Sequence, residues 1–333
     1  MSGNSPSKFW VIFRSVLFLG LFLALFIWLF KRQGYETNDF LKLPVKAIWA
    51  WAVLIGLTWL INGQKIKFLL KHWKIQFPLK EAFALAAASS LFNFFPLQGG
   101  MAARGFYLKK RYHLPATHYS SLLAASYFIL VFIQGTIGLI LCLTLESSKK
   151  VNFLIFLFTI ALLITLILVL FRIPLAIRNR LSKGRFSFVT HIHQHFLSLL
   201  KDYRCFLSVL FFDFLLLIVE STKIYLAFYL LGYSKEITLK ATVLMANLTI
   251  PSVLLNITPA GLGIRESAIT LVAVIFHFKV EEAFFAGSFD RILTMVIIFT
   301  FGLVCALWVL NQYSKPSPQL GNRDDNLINR SPA

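Results

Sequence analysis

Apolar residues run along this chain in long blocks separated by short clusters of Lys and Arg. The blocks at 9–30, 46–62, 119–145, 151–171, 206–231 and 283–310 predict six long transmembrane helices, since a helix needs about 20 apolar residues to cross a bilayer. In the first, only Arg14 interrupts Trp10 to Phe30, close enough to one end to reach the interface. That run is too long for a signal peptide, lacks a small-residue cleavage pattern and is followed by Lys31 and Arg32, so a retained span is expected. Trp49, Trp51 and Trp59 stand toward the ends of the second block, as in an aromatic belt. The blocks at 119–145 and 151–171 hold no Asp, Glu, Lys or Arg, and the short Glu146 to Lys150 turn between them predicts an antiparallel pair.

Other stretches repeat at helical spacing without being apolar all round. After the second span, Ile66, Leu69, Leu70, Trp73 and Phe77 alternate with Lys67, Lys71 and Lys74, the pattern of a helix lying in an anionic membrane surface. In the central loop, 172–205, Phe188, Ile192, Phe196, Leu199 and Tyr203 predict a second amphipathic helix. His191, His193 and His195 fall on it with no Cys or carboxylate beside them, so no metal site is expected. Residues 313–333, rich in Ser, Pro and Asn, read as a disordered cytoplasmic tail.

Composition sharpens this reading. Of 333 residues 58% are hydrophobic and 14% charged, against about 25% charged in soluble domains; mean hydropathy is +0.73. A soluble enzyme is thereby excluded. The net charge of +19 suits cytoplasmic loops facing anionic lipid rather than nucleic acid, for which the loops carry no recognition pattern. Cys142, Cys205 and Cys305 are far apart and beside apolar segments, so they read as packing residues. Lys and Arg crowd the loops after the second span, after Leu108 and across the central loop, which places those loops, and both termini, in the cytoplasm.

Two further stretches, 81–108 and 238–277, are rich in small residues and broken by Pro and Gly. Asn93-Phe-Phe-Pro96-Leu-Gln-Gly99-Gly100 leads to Arg104, and Asn256-Ile-Thr-Pro259-Ala-Gly261-Leu-Gly263-Ile leads to Arg265. The shared plan, about 165 residues apart, predicts a duplication: a first membrane repeat at 1–150 and a second at 151–312. Pro and Gly break helices, and irregular backbone at membrane depth is tolerated only inside protein or along a water-filled cavity. Each stretch is therefore a candidate helical hairpin, and the three spans between them give the hairpins opposite orientations, an inverted repeat. Periodicity leaves open whether the arms turn back at midplane or cross fully. The expected fold is all-α and integral to the membrane: six long helices plus two Pro/Gly-broken hairpins.

Charges inside the predicted spans are costly, at least about 2.5 kcal/mol each on insertion scales, and face the bundle interior or water. Arg104 and Arg265 follow the helix breaks and suit phosphate. Asp213 and Glu220 share a helix face, and Lys223, three residues beyond, is placed to pair with Glu220. Two readings stand. Glu220 with Lys223 and Asp290 with Arg291 are static ties, or Asn93, Arg104, Glu220, Asn256, Arg265, Glu266, Asp290 and Arg291 line a polar site that binds or gates a substrate, with a carboxylate free for proton coupling. No catalytic set assembles, and no cofactor is expected.

Pro259-Ala-Gly-Leu-Gly-Ile-Arg-Glu-Ser-Ala with Asp290-Arg291 downstream, and Pro96-Leu-Gln-Gly-Gly followed by Arg104 and Leu108, resemble the lysylphosphatidylglycerol synthase transmembrane region family, flippase-like membrane proteins of bacteria and archaea. The resemblance covers about Lys8 to Leu310. Met101 stands where relatives often place an acidic residue. The name-giving members carry this region ahead of a soluble aminoacyl transferase domain, for which the short tail leaves no room, so the resemblance implies the transport half. It implies a flippase-like transporter of the bacterial cytoplasmic membrane, with an anionic phospholipid or lipid-linked substrate and membrane lipids as partners, and with a separate envelope lipid-modifying enzyme as a further one. The alternative is an integral-membrane transferase, or an accessory subunit of one, acting on lipid-linked sugars or aminoacyl lipids.

Overall fold

A computed structural model describes residues 44–94, 99–146, 148–170, 187–233, 236–252 and 261–313, together with Ala24; for 166–170 and 187–191 it describes the backbone alone. Apart from Ala24, the predicted span 9–30 lies outside them, as do the tips of both hairpins, residues 171–186 and the tail from 314. The described residues form helices and no strand. In chain order the helices are α1 Val45–Lys71, α2 Leu79–Phe92, α3 Gly99–Tyr112, α4 Ala116–Leu143, α5 Lys149–Leu170, α6 Ser187–Lys201, α7 Tyr203–Leu230, α8 Leu239–Thr249, α9 Ile264–Ala273 and α10 Val280–Tyr313.

Local chemistry sets several helix starts. Pro44, Pro78 and Pro115, each extended, immediately precede α1, α2 and α4, where a missing N–H costs nothing. Asp202 caps α7 by accepting from the backbone N–H groups of Arg204 and Cys205, and Thr238 caps α8 by accepting from Ala241. Gly263 precedes α9 at φ 86°, a left-handed conformation that glycine adopts without a steric penalty.

α1, α4, α7 and α10 are long and apolar enough to cross a membrane, so the protein is a multi-pass membrane protein. They account for four of the six predicted spans. α5, the 22-residue helix Lys149–Leu170, covers the described part of the predicted block 151–171 and packs against α4. A Cβ on Gly135 would sit 3.1 Å from Leu162, and one on Gly138 would meet the Phe158 ring, so contact numbers rise on one helix as they fall on the other and the pair is antiparallel. α10 is continuous but widens into a π-helix at Ile298–Gly302, where it meets the alanine-rich face of α2; Gly302 faces the Ala87 carbonyl.

Two predicted boundaries are corrected. The span 46–62 and the surface helix beginning at Lys65 are one helix, because Lys65 finds a counter-charge in the bundle and Ile66, Leu69 and Leu70 are core residues. The helix at 187–201 does form, but Phe196 and Leu199 bury against protein, with Phe196 on Phe128 of α4, and Tyr203 is exposed at the start of α7 rather than on that apolar face.

The element order of α1–α4, long helix, two short helices, long helix, recurs in α7–α10. Packing recurs with it: α1 lies against α2, α7 and α10, and α7 against α8, α1 and α4. α1 and α7 are antiparallel, since Lys65 meets Asp213 while Phe68 meets Phe212 and Ile61 meets Leu216 and Val219. α2 and α3 form an antiparallel hairpin: Ser89 meets Arg104, and Glu81 meets Tyr107, Arg111 and Tyr112. Its open end lies with the end of α10, because Arg111 donates to the Gln312 carbonyl at 2.8 Å. The same face of the bundle gathers His72 with Asp202, and Trp73 with His118 and His195. The base of the second short pair, at Phe278, packs instead on Phe228 and Tyr233 at the far end of α7.

Candidate functional site

Three helices bring six charges together inside the apolar bundle, and a fourth adds an indole. α7 supplies Glu220 and Lys223, one helical turn apart and 3.0 Å from Oε1 to Nζ. From α9, the Arg265 guanidinium reaches both neighbours through one nitrogen, donating to Glu220 Oε2 at 2.7 Å and to Asp290 Oδ2 on α10 at 2.9 Å. The remaining Asp290 oxygen accepts from the indole N–H of Trp51 on α1 at 3.2 Å, and the Trp51 ring stands edge-on to Phe289. Glu266 turns its Oε2 to the backbone N–H of Gly263 at 2.8 Å, fastening the start of α9. Arg291 follows Asp290 and is also buried.

Three cations (Lys223, Arg265 and Arg291) balance three carboxylates (Glu220, Glu266 and Asp290). Glu220, Lys223, Glu266, Asp290 and Arg291 are buried, and the Arg265 side chain is 15% exposed. In a low dielectric such a cluster persists only when paired. All four oxygens of Glu220 and Asp290 have protein donors. The network therefore ties the second short pair to three long helices. The expected pairing of Glu220 with Lys223 is present, whereas Asp290 is held by Arg265 and Trp51.

The first hairpin presents a different surface. Arg104, half-buried on α3, donates from Nε to the Ser89 hydroxyl at 3.2 Å. Its two terminal nitrogens have no partner among the described residues, and no carboxylate there lies within ion-pair distance. It sits within electrostatic reach of the Tyr119 and Tyr127 hydroxyls, which are turned to the Met101 carbonyl at 2.7 Å and the Met101 sulfur at 2.8 Å. Asn93 ends α2 with its side chain against Gly100, beside the hairpin tip. Arg104 and Asn93 are thus separate from the ionic network, and Asn256 lies outside the described residues.

Two ionic clusters were not anticipated as such. Glu81 is buried beneath Tyr107, Arg111 and Tyr112 and clamps the open end of the first hairpin. Lys65 and Asp213 join α1 to α7 at 2.7 Å. A charge inside an apolar run signals that a partner exists but not which one, and Trp51 and Asp290 are 239 residues apart. Among the described residues no three His, Cys, Asp or Glu side chains converge as metal ligands.

The profile of the lysylphosphatidylglycerol synthase TM region matches residues 11–302. The chain belongs to this family. The match spans both halves, including Arg104 and the Arg265 network, so each site lies within the family region. Comparison with curated proteins and with solved structures returned no match. As a member of the lysylphosphatidylglycerol synthase transmembrane family, the protein is a multi-pass membrane protein of a lipid-related family.

Proposed function

We propose that the protein is a flippase-like transporter that moves an anionic phospholipid or lipid-linked anion across the bacterial cytoplasmic membrane, with both termini in the cytoplasm. The observation that carries this reading is the contrast between the two arginines that follow the helix breaks. Arg104 faces hydroxyl groups, and its terminal nitrogens have no partner among the described residues, the arrangement a phosphate takes up bidentately. Arg265 is engaged by Glu220 and Asp290, so it reaches a substrate only when those carboxylates give way. Arg104 is then the headgroup contact, with Asn93 at the same tip, and the Glu220, Arg265, Asp290 network, with Glu266 and Arg291, is the gate.

The architecture we infer is an inverted repeat of 1–150 and 151–312 with re-entrant hairpins. Antiparallel α1 and α7, the recurring element order and the opposite placement of the two hairpin bases support it. α2 and α3 are each 14 residues, roughly 20 Å at 1.5 Å per residue, short of a ~30 Å hydrocarbon core. The bundle face that carries Lys71, Lys109, Lys110, Arg111 and Lys201 is the cytoplasmic one. A separate enzyme that modifies the lipid supplies the substrate.

Native mass spectrometry of the purified protein with mixed phospholipids tests the headgroup contact. Wild type retains anionic over zwitterionic lipid and Arg104→Ala loses that preference; equal retention by the two proteins overturns the assignment.

A further inference from the structure

We infer that Asp213, with Lys65, is the proton-binding site of this transporter, taking up one proton and thereby releasing a tie between its two halves; this rests on the transport reading above. Asp213 is fully buried, and only one of its oxygens is used, at 2.7 Å from Lys65 Nζ. The other, Oδ2, is buried with no hydrogen-bond partner among the described residues. Buried carboxylate oxygens are normally satisfied, and this one is placed to receive a proton. The oxygens of Glu220 and Asp290, by contrast, are all occupied by donors. Glu266 also has one oxygen without a hydrogen-bond partner among the described residues, but its other oxygen is committed to the backbone N–H of Gly263 at the start of α9, within the Arg265 network rather than between the two halves.

The surroundings isolate the pair. From α1, Lys65 is the charged group that faces Asp213. On α7 itself Glu220 lies two turns away, about 10 Å along the axis, and it is taken up with Lys223 and Arg265. α10 brings Asp290 and Arg291 to that same distant level, and on α6 His193 lies against Phe196 and His195 against Trp73 and His118. α4 and α8, which also pack on α7, place no charged group against Asp213.

The chemistry balances with one proton. When a proton binds Oδ2, the carboxylate becomes a neutral acid, the attraction to Lys65 is lost and the ammonium is left without a counter-charge. Lys65 is six residues from the end of α1, about 9 Å, so its stem can carry the ammonium toward the interface. Loss of the proton restores the pair. Desolvation offsets much of the attraction in a buried ion pair that makes a single contact, so the protonated state is accessible once the ammonium, the one charge that remains, moves to the interface.

The position of the pair says what it controls. Lys65 and Lys223 occupy the same place in α1 and α7, each 20 residues beyond the first residue of its helix (Val45 to Lys65, Tyr203 to Lys223). Three residues earlier stand Asn62 and Glu220. Lys223 is matched within its own helix by Glu220, whereas Lys65, whose helix offers Asn62 there, takes its counter-charge from the opposite half. Proton binding at Asp213 therefore loosens α1 from α7, the two antiparallel helices that rocking of one repeat against the other must shear.

Infrared difference spectroscopy of the protein in lipid nanodiscs, titrated with pH, reads the proton directly. Wild type gives a protonated-carboxyl band that grows as pH falls, disappears in Asp213→Asn and persists in Glu220→Gln. In Lys65→Met the band is present at every pH, because an unpaired buried carboxylate stays neutral. Where Asp213→Asn does not fold, the charge-neutral double variant Lys65→Met/Asp213→Asn supplies the same comparison. A titrating band untouched by loss of Asp213, or no titrating band, overturns the proton site. In proteoliposomes an imposed pH gradient changes the rate of wild-type lipid movement, and Asp213→Asn loses that response. Lipid movement indifferent to the gradient in wild type overturns the coupling and leaves the transport reading standing. Absence of any lipid movement overturns the transport reading and the coupling with it, whatever the band shows.

Discussion

Replacing Arg265 by Met tests whether the six buried charges act as one unit. The substitution removes two charge-assisted bonds, at 2.7 and 2.9 Å, and leaves Glu220, Glu266 and Asp290 against only Lys223 and Arg291. Glu220 keeps Lys223 and Asp290 keeps the indole of Trp51, so neither carboxylate is stripped bare, but one buried negative charge is uncompensated. Removing one partner of a buried pair typically costs about 3–5 kcal/mol; the 15% exposure of the Arg265 side chain places the expected loss at the lower end of that range. Adding Asp290→Asn restores the balance of charge. The double variant is then more stable than the sum of the single losses predicts, by about 2 kcal/mol, within the coupling expected of contacting residues. Reversible unfolding in mixed micelles, run as a double-mutant cycle, measures both numbers. Additive losses, or a cost for Arg265→Met below ~0.5 kcal/mol, a range typical of surface substitutions, refute the idea of a coupled network.

Two further substitutions probe how the elements around the sites are held. A Cβ at Gly100 would collide with the side chain of Asn93 and with the backbone carbonyl of Ser89, which is fixed within α2, so Gly100→Ala forces α2 from α3 and costs about 1–3 kcal/mol despite alanine's better helix propensity; an unchanged unfolding midpoint contradicts this packing. Asp202, outside the spans, has its carboxyl held below the usual carboxylate range by the hydrogen bond from His72 Nδ1 at 3.0 Å, with the backbone N–H groups of Cys205 and Arg204 adding to it. A lowered folded value means that its contribution is present above the unfolded value of about 3.9 and is lost as pH falls through the folded one. Asp202→Ala thus costs roughly 1 kcal/mol at neutral pH through the lost helix cap and flattens the acid limb of a stability–pH curve; an acid limb identical to wild type argues against it.

What could be read from sequence follows a physical division. Long apolar runs and Pro/Gly breaks are local signals, so α4, α7, α10 and the existence of both short helix pairs were legible from periodicity alone. The end of α1 was not, because lysine at 65 reads as an interfacial residue until Asp213, 148 positions later, is known to face it. The charged residues of the site were legible as costly charges in need of partners, yet the pairing was not. Adjacent Asp290 and Arg291 project about 100° apart on a helix, and the partner that holds Asp290 comes from α9. Trp51 looked like one of three belt tryptophans, although it is fully buried while Trp49 is 64% exposed. Arg104 and Arg265 followed matching breaks and looked equivalent; only the fold separates the arginine whose terminal nitrogens have no partner among the described residues from the one already engaged.

The most direct test of the transporter reading is translocation of fluorescent phospholipids in proteoliposomes holding the purified protein, with anionic, zwitterionic and cationic headgroups compared and Arg104→Ala beside wild type. The account predicts movement of an anionic lipid well above protein-free vesicles, and its loss in Arg104→Ala protein that remains folded and monodisperse. Movement no faster than in empty vesicles for every headgroup, from folded wild-type protein, would contradict it.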